Sequence, residues 1–147
     1  AGPGAHAALQ AIGFRIGQRL AERLSVGVPR FSNTLEVVKF LCTEFWHVAF
    51  KKQVDNLRTN HRGVFVLSDN DFAWLAHVPG ASSTRAAGAV PAGSDGALRA
   101  AALVQLQLPA GMLSGALAQL GVPCSVEPDV RAGRACVFTV KVSAALQ

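Results

Sequence analysis

The sequence is poor in the residues and spacings that reactive sites need. Its three cysteines, Cys42, Cys124 and Cys136, form no CxxC pair, and its four histidines share no ligand spacing, which disfavours zinc. The odd cysteine count, with Cys42 and Cys136 among apolar residues, points to core thiols in a reducing, cytosolic setting. No glycine-rich loop ends in Gly-Lys, which excludes a Walker phosphate loop. GPGAHA at the start follows no strand, so it is no dinucleotide fingerprint. Ser114, in GMLSG, lacks the pattern of a nucleophile elbow. The expectation is a non-enzyme with no catalytic residue, no metal site and no cofactor. Charge is scarce too: 16% of residues are charged and 50% are hydrophobic, which excludes a disordered chain. AGPGAHAALQ has no basic region ahead of an apolar run, so no secretory leader is read there, and an N-terminal helix is expected to be missing.

At 147 residues the length fits one domain, with 79–97, rich in Gly, Ala, Ser and Pro, as a flexible loop. The formal net charge is +5, but the basic residues are scattered. Only Arg58 to Arg62 is concentrated, and no zinc-finger, basic-zipper or RNA-recognition motif accompanies it. Nucleic acid is therefore not expected as a partner. Peripheral contact with anionic lipid, or with an acidic protein surface, is the remaining use of the charge.

Periodicity supplies the elements. Leu9, Ile12, Ile16, Leu20 and Leu24 recur at steps of three and four, predicting a helix near Ala8–Leu24 with one apolar stripe. Gly13 and Gly17, four apart, predict another element close to its backbone. Asn33 followed by Glu36 has capping-box spacing, so a second helix starts near Thr34 and is expected to reach about Leu57. That helix looks apolar nearly all round, which predicts burial on two sides, the second against another subunit. Val64–Leu67 and Phe72–Val78 read as a hairpin. Ala100 to Val126 carries no charge. It reads as a buried helix, kinked or begun by Pro109, in preference to a membrane span; Gly111 and Gly115 repeat the close-packing spacing and Gly121 is its cap. Cys124–Glu127 and Cys136–Val142 alternate as two strands joined by a turn near Asp129–Arg134. His61 reads as a hydrogen-bonding residue at a helix end, and Trp46 and Trp74 as core or interface aromatics. The fold class is α+β, with helices on one face of an antiparallel sheet.

From Phe40 to Phe72 the run FLCTEFWHVAFKKQVDNLRTNHRGVFVLSDNDF resembles the sixth small subunit of the TRAPP vesicle-tethering family. IGFRIGQRLAERL (Ile12 to Leu24) and LPAGMLSGALAQLGV (Leu108 to Val122) followed by CVFTVKV resemble two further blocks of that family, in the same order. The resemblance implies a four-stranded antiparallel sheet with helices on one face. It implies a scaffold subunit that heterodimerises with the third small subunit, works with other TRAPP subunits and supports nucleotide exchange on a Rab GTPase through the assembly. It implies a cytoplasmic protein, peripheral at the cis-Golgi and endoplasmic reticulum. The candidate partner-binding residues are Ile12, Ile16, Leu20, Phe40, Phe45, Trp46 and Phe50. An alternative role is an acyl- or lipid-binding module of the same fold, with the glycine pairs leaving room for a chain. No cysteine stands between Ala1 and Leu41, so a covalent acyl chain of the third-subunit kind is not expected.

Overall fold

A computed structural model describes residues 3–76 and 95–143. The first helix, α1, spans Pro3–Leu24 and so begins before the predicted Ala8. Proline suits a first helical position because its missing N–H would have had no partner there.

Helix α2 (Thr34–Phe40) starts at the expected cap. Asn33 Oδ1 accepts the Glu36 N–H at 3.0 Å, and Glu36 Oε2 accepts the Ser32 N–H at 2.8 Å. The rod continues without a break through a π-helical turn, Leu41–Phe45, into α3, Trp46–Phe50. It ends seven residues earlier than expected. Lys51 turns left-handed (φ 68°), and its N–H closes on the His47 carbonyl at 2.9 Å. Part of the chain predicted as helix is instead a strand.

That strand is β1 (Asn56–Thr59), and it pairs antiparallel with β2 (Val64–Asp69). The hairpin partner of β2 is therefore upstream, not the predicted Phe72–Val78. Asn60 Oδ1 holds the connecting turn by accepting the Arg62 and Val64 N–H groups, and His61 sits in this turn, left-handed, not at a helix end. Phe72 instead donates its N–H to the Arg134 carbonyl and leads into a short 3-10 turn, Ala73–Leu75.

Of the predicted loop 79–97, residues 79–94 lie outside the described residues. The last three belong to α4, Asp95–Gln119, which continues through Pro109. Gly121 (φ 91°) stops it: its N–H reaches the Ala118 carbonyl and the Val122 N–H reaches that of Leu117, a Schellman closure that a side chain at Gly121 would strain. Strands β3 (Cys124–Val130) and β4 (Cys136–Val142) follow, giving the antiparallel order β1-β2-β4-β3.

Trp46 is the centre of the core, with Phe50, Phe138 and Phe72 around it at ring distances of 4.9, 5.6 and 6.1 Å. Helix α4 lies between α1 and β3. By length and composition its Gly96–Gln119 portion could cross a membrane, but most of it is buried against these neighbours.

The contact of α1 with α4 is made by glycine on both sides. A Cβ on Gly13 or Gly17 would fall on the carbonyls of Leu108 and Met112, and one on Gly111 or Gly115 on those of Gln10 and Phe14. The close approach predicted from each spacing is thus one mutual contact. It also corrects the picture of a lipid chain between the glycines, because backbone fills that space.

Candidate functional site

On α1, Gly13 and Gly17 face α4 and are buried, as is Ala21. The apolar stripe noted in the sequence is turned elsewhere. Leu9 and Leu20 are half-buried, and Ile12 and Ile16 remain 54% and 43% exposed. Small residues take the inward face because only they allow so near an approach of two backbones, which leaves the bulky residues outside. Phe40 is half-buried and meets Phe31 edge-on at 5.2 Å.

Phe45, Trp46 and Phe50 do not share this surface. They are in the interior of the chain itself, which corrects their assignment to a partner interface. The π turn supplies the reason. The buried positions Val37, Val38, Leu41, Cys42, Phe45 and Trp46 advance in steps of four. On a 3.6-residue helix such a repeat drifts about 40° per step. The wider turn at Leu41–Phe45 takes up the drift, so residues that plot around the whole circumference share one inward face. Lys39, Glu44, His47 and Val48 are left on the exposed side.

A polar cluster that the sequence did not reveal joins this core to the sheet. Asp69 is fully buried at the end of β2. Its carboxylate accepts the Trp46 indole N–H at 2.9 Å, a Lys52 ammonium proton at 2.9 Å and the Asp71 N–H at 3.0 Å. Lys52 also reaches Asp55 at 2.6 Å, and Asp55 accepts the Asn70 N–H at 2.7 Å. The signal was present as an aspartate within an apolar strand, VFVLSD, but nothing in its spacing named the indole as partner.

This cluster makes stability depend on pH. The hydrogen bond from Lys52 holds the Asp55 carboxyl below its usual 3.8, against partial burial and with help from the Asn70 N–H. Partial burial pulls Lys52 down, but its bonds to Asp55 and Asp69 outweigh this and leave it above 10.5. A depressed carboxyl stabilises the fold above its unfolded pKa and loses that contribution as the pH falls through the folded value. A raised lysine does so below its unfolded pKa and loses it as the pH rises through the folded value. Stability gained from the pair is therefore expected to be full between 3.8 and 10.5 and to fall on both sides. The gap between the urea midpoints of the parent chain and of Asp55→Asn should stay steady down to 3.8 and narrow as the pH falls below it. A constant gap would disprove the coupling.

The thiols fit a structural role. Burial pushes Cys42 up to about 12 and Cys136 higher still, and Cys124 is pushed up to about 11. Thiols raised in this way carry little thiolate near neutrality. Among the described residues no group of three His, Cys, Asp or Glu side chains is placed to hold a metal ion.

Comparison with known proteins agrees with this architecture. The family model described as transport protein particle (TRAPP) component matches residues 4–143. Trafficking protein particle complex subunit 6b of Danio rerio is 40% identical over 134 residues, covering 91% of this chain and 76% of the relative. Subunit 6B of Homo sapiens is 37% identical over the same shares. A crystal structure of trafficking protein particle complex subunit 3 from Naegleria fowleri, covalently bound to palmitic acid, superposes with a TM-score of 0.71 at 12% identity. It covers 97% of this chain and 82% of that one, and at this identity the likeness concerns the fold. The chain belongs to the TRAPP component family of vesicle-trafficking proteins, as a small subunit of the sixth type.

Proposed function

We propose that the chain is a non-catalytic scaffold subunit of a TRAPP complex and that α1 carries its contact with the third small subunit. The observation that supports this is the exposed pair Ile12 and Ile16 on a helix whose neighbouring side is held by glycine. Leu20 and Phe40 extend the apolar surface at half burial. Two adjacent exposed isoleucines on a well-ordered helix mark a surface that loses water on association. The family likeness supports the wider role: tethering of vesicles between the endoplasmic reticulum and Golgi by a cytoplasmic complex peripheral to those membranes. Exchange on a Rab GTPase belongs to the whole assembly. The names of the Danio rerio and Homo sapiens relatives, both of complex subunits, support a structural rather than an enzymatic part.

The test is to combine the chain with the third TRAPP small subunit of the same organism and measure mass by light scattering after gel filtration. A 1:1 complex is expected. Changing both Ile12→Glu and Ile16→Glu should weaken it by about a hundredfold or more, because two carboxylates would be buried unpaired. The thermal melt of the chain alone should hardly move, since both side chains face water. An unchanged affinity would remove α1 from the interface.

A further inference from the structure

We propose that the open face of the sheet is a second interface whose partner is another copy of this chain, turned about a twofold axis along the strands so that Arg58 of each copy meets Glu127 of the other. The helices occupy one face only: Phe65, Leu67, Phe138 and Val140 turn to them and belong to the core. The residues that alternate with these, and their partners on β1 and β3, turn to the other face. There Arg58, Glu127 and Lys141 are exposed, and Val64, Val66 and Thr139 are half-buried. Helix α1 packs on α4, on the helical side, so this face stays open when the isoleucine surface is covered.

The register of the sheet places the charges. Arg58 pairs with Val66, Val66 with Thr139, and Thr139 with Glu127. Residues directly opposite each other share a face, so these four form one row across the sheet. A cation on β1 ends the row on one side and an anion on β3 ends it on the other. Three strand spacings separate the ends, about 14 Å. Arg58 has no ion-pair partner among the described residues. Glu127 has Lys141 at 3.8 Å, through Oε2 alone. Both of those side chains are more than half exposed, so their pairing contributes little.

A row charged in this way is complementary to itself. The order β1-β2-β4-β3 sets β1 and β3 at equal distances from an axis between β2 and β4. Rotation about that axis lays β1 of one copy over β3 of the other and keeps every row at its own level. Arg58 then meets Glu127 twice, and Val66 lies over Thr139. In the row on one side, Val64 meets the apolar stem of Lys141; in the row on the other, Asn56 meets Asp129. Like charges oppose each other in none of the three rows. Rotation about the Arg58–Glu127 row itself would set arginine on arginine and glutamate on glutamate. Packed sheets cross at about 30°, which displaces the row ends by about 4 Å, within the reach of an arginine side chain. Four strands of about six residues offer about 400 Å² on each copy, so the association is weak and reversible. It would join two of the proposed dimers back to back.

The test is sedimentation velocity of the chain carrying Ile12→Glu and Ile16→Glu, a background in which association through α1 does not contribute. Its mass should rise from one copy toward two between about 10 and 500 µM. Added to this background, Arg58→Glu should weaken the association at least about tenfold, because it sets glutamate against Glu127. Glu127→Arg should do the same by setting arginine against Arg58. The two changes together restore the pair with its signs exchanged, and should return the association to within about threefold of the background. A chain that remains single at about 500 µM would overturn the proposal. So would single changes that leave the association as it was, or a combined variant no better than either change alone. None of these results bears on the contact of α1 with the third subunit, which the mixing experiment decides by itself.

Discussion

Asp69→Ala is expected to lower the unfolding free energy by about 3–5 kcal/mol, the range for removing one partner of a buried ion pair. The carboxylate is fully buried and holds three groups at once: the Trp46 indole, the Lys52 ammonium and the Asp71 backbone. Alanine would leave the indole N–H without a partner in the middle of the aromatic core, which alone costs about 1–3 kcal/mol. Lys52 would keep Asp55 but lose the contact that draws it against the sheet. Asp55→Ala is the control. Asp55 is partly exposed, and pairs of that kind contribute at most about 1 kcal/mol. Chemical denaturation followed by tryptophan fluorescence would decide, with an unchanged slope and a lower midpoint for Asp69→Ala. If the two variants were equally stable, Asp69 would not organise the junction of helix and sheet.

Gly17→Leu is expected to be nearly as damaging, at about 3 kcal/mol, the upper end for overpacking. The atom it strikes is the Met112 carbonyl of α4, with the Met112 Cα only 2.8 Å from the new Cβ. A flexible side chain could move aside at small cost, but helical backbone cannot without parting α1 from α4. Trypsin should then cut rapidly at Arg15, Arg19 and Arg23, which the parent chain protects by holding them helical. Gly4→Ala serves as the contrast. Its Cβ would meet nothing within 4 Å, so it should be neutral or slightly stabilising through helix propensity. A Gly17→Leu protein as stable and protease-resistant as Gly4→Ala would disprove the close contact.

The sequence made the punctuation of the fold legible. Asn33 with Glu36, Gly121 after Leu120, and the paired glycines each have one dominant physical meaning, and each appears where expected. What it hid follows from two features. The rod stops at Lys51, a lysine in the left-handed region usually reserved for glycine, so nothing in its composition announces an end. The strand after it, Asn56–Thr59, is short and lies at the sheet's edge, too brief for alternation to stand out. The candidate interface was legible in part for a related reason. Ile12 and Ile16 are on the surface as a partner site requires, but the four-residue apolar steps of the second rod suggested two buried faces where the π turn makes one.

The glycine contact also imposes an order in time. Gln10 bonds to Gln107, 97 residues later, and Gly17 finds its seat at Met112. The cluster of Trp46, Lys52 and Asp69 closes within 23 residues. During synthesis at about 5–20 residues per second, α1 emerges ahead of the second rod yet waits roughly 5–20 seconds for the helix that completes it. Through that interval both its small-residue face and its isoleucines are bare. The junction of the second rod with β2 is already able to form. The earlier member of the pair is thus the later to be secured, and a nascent chain halted before α4 would leave bare the small-residue face that α4 covers.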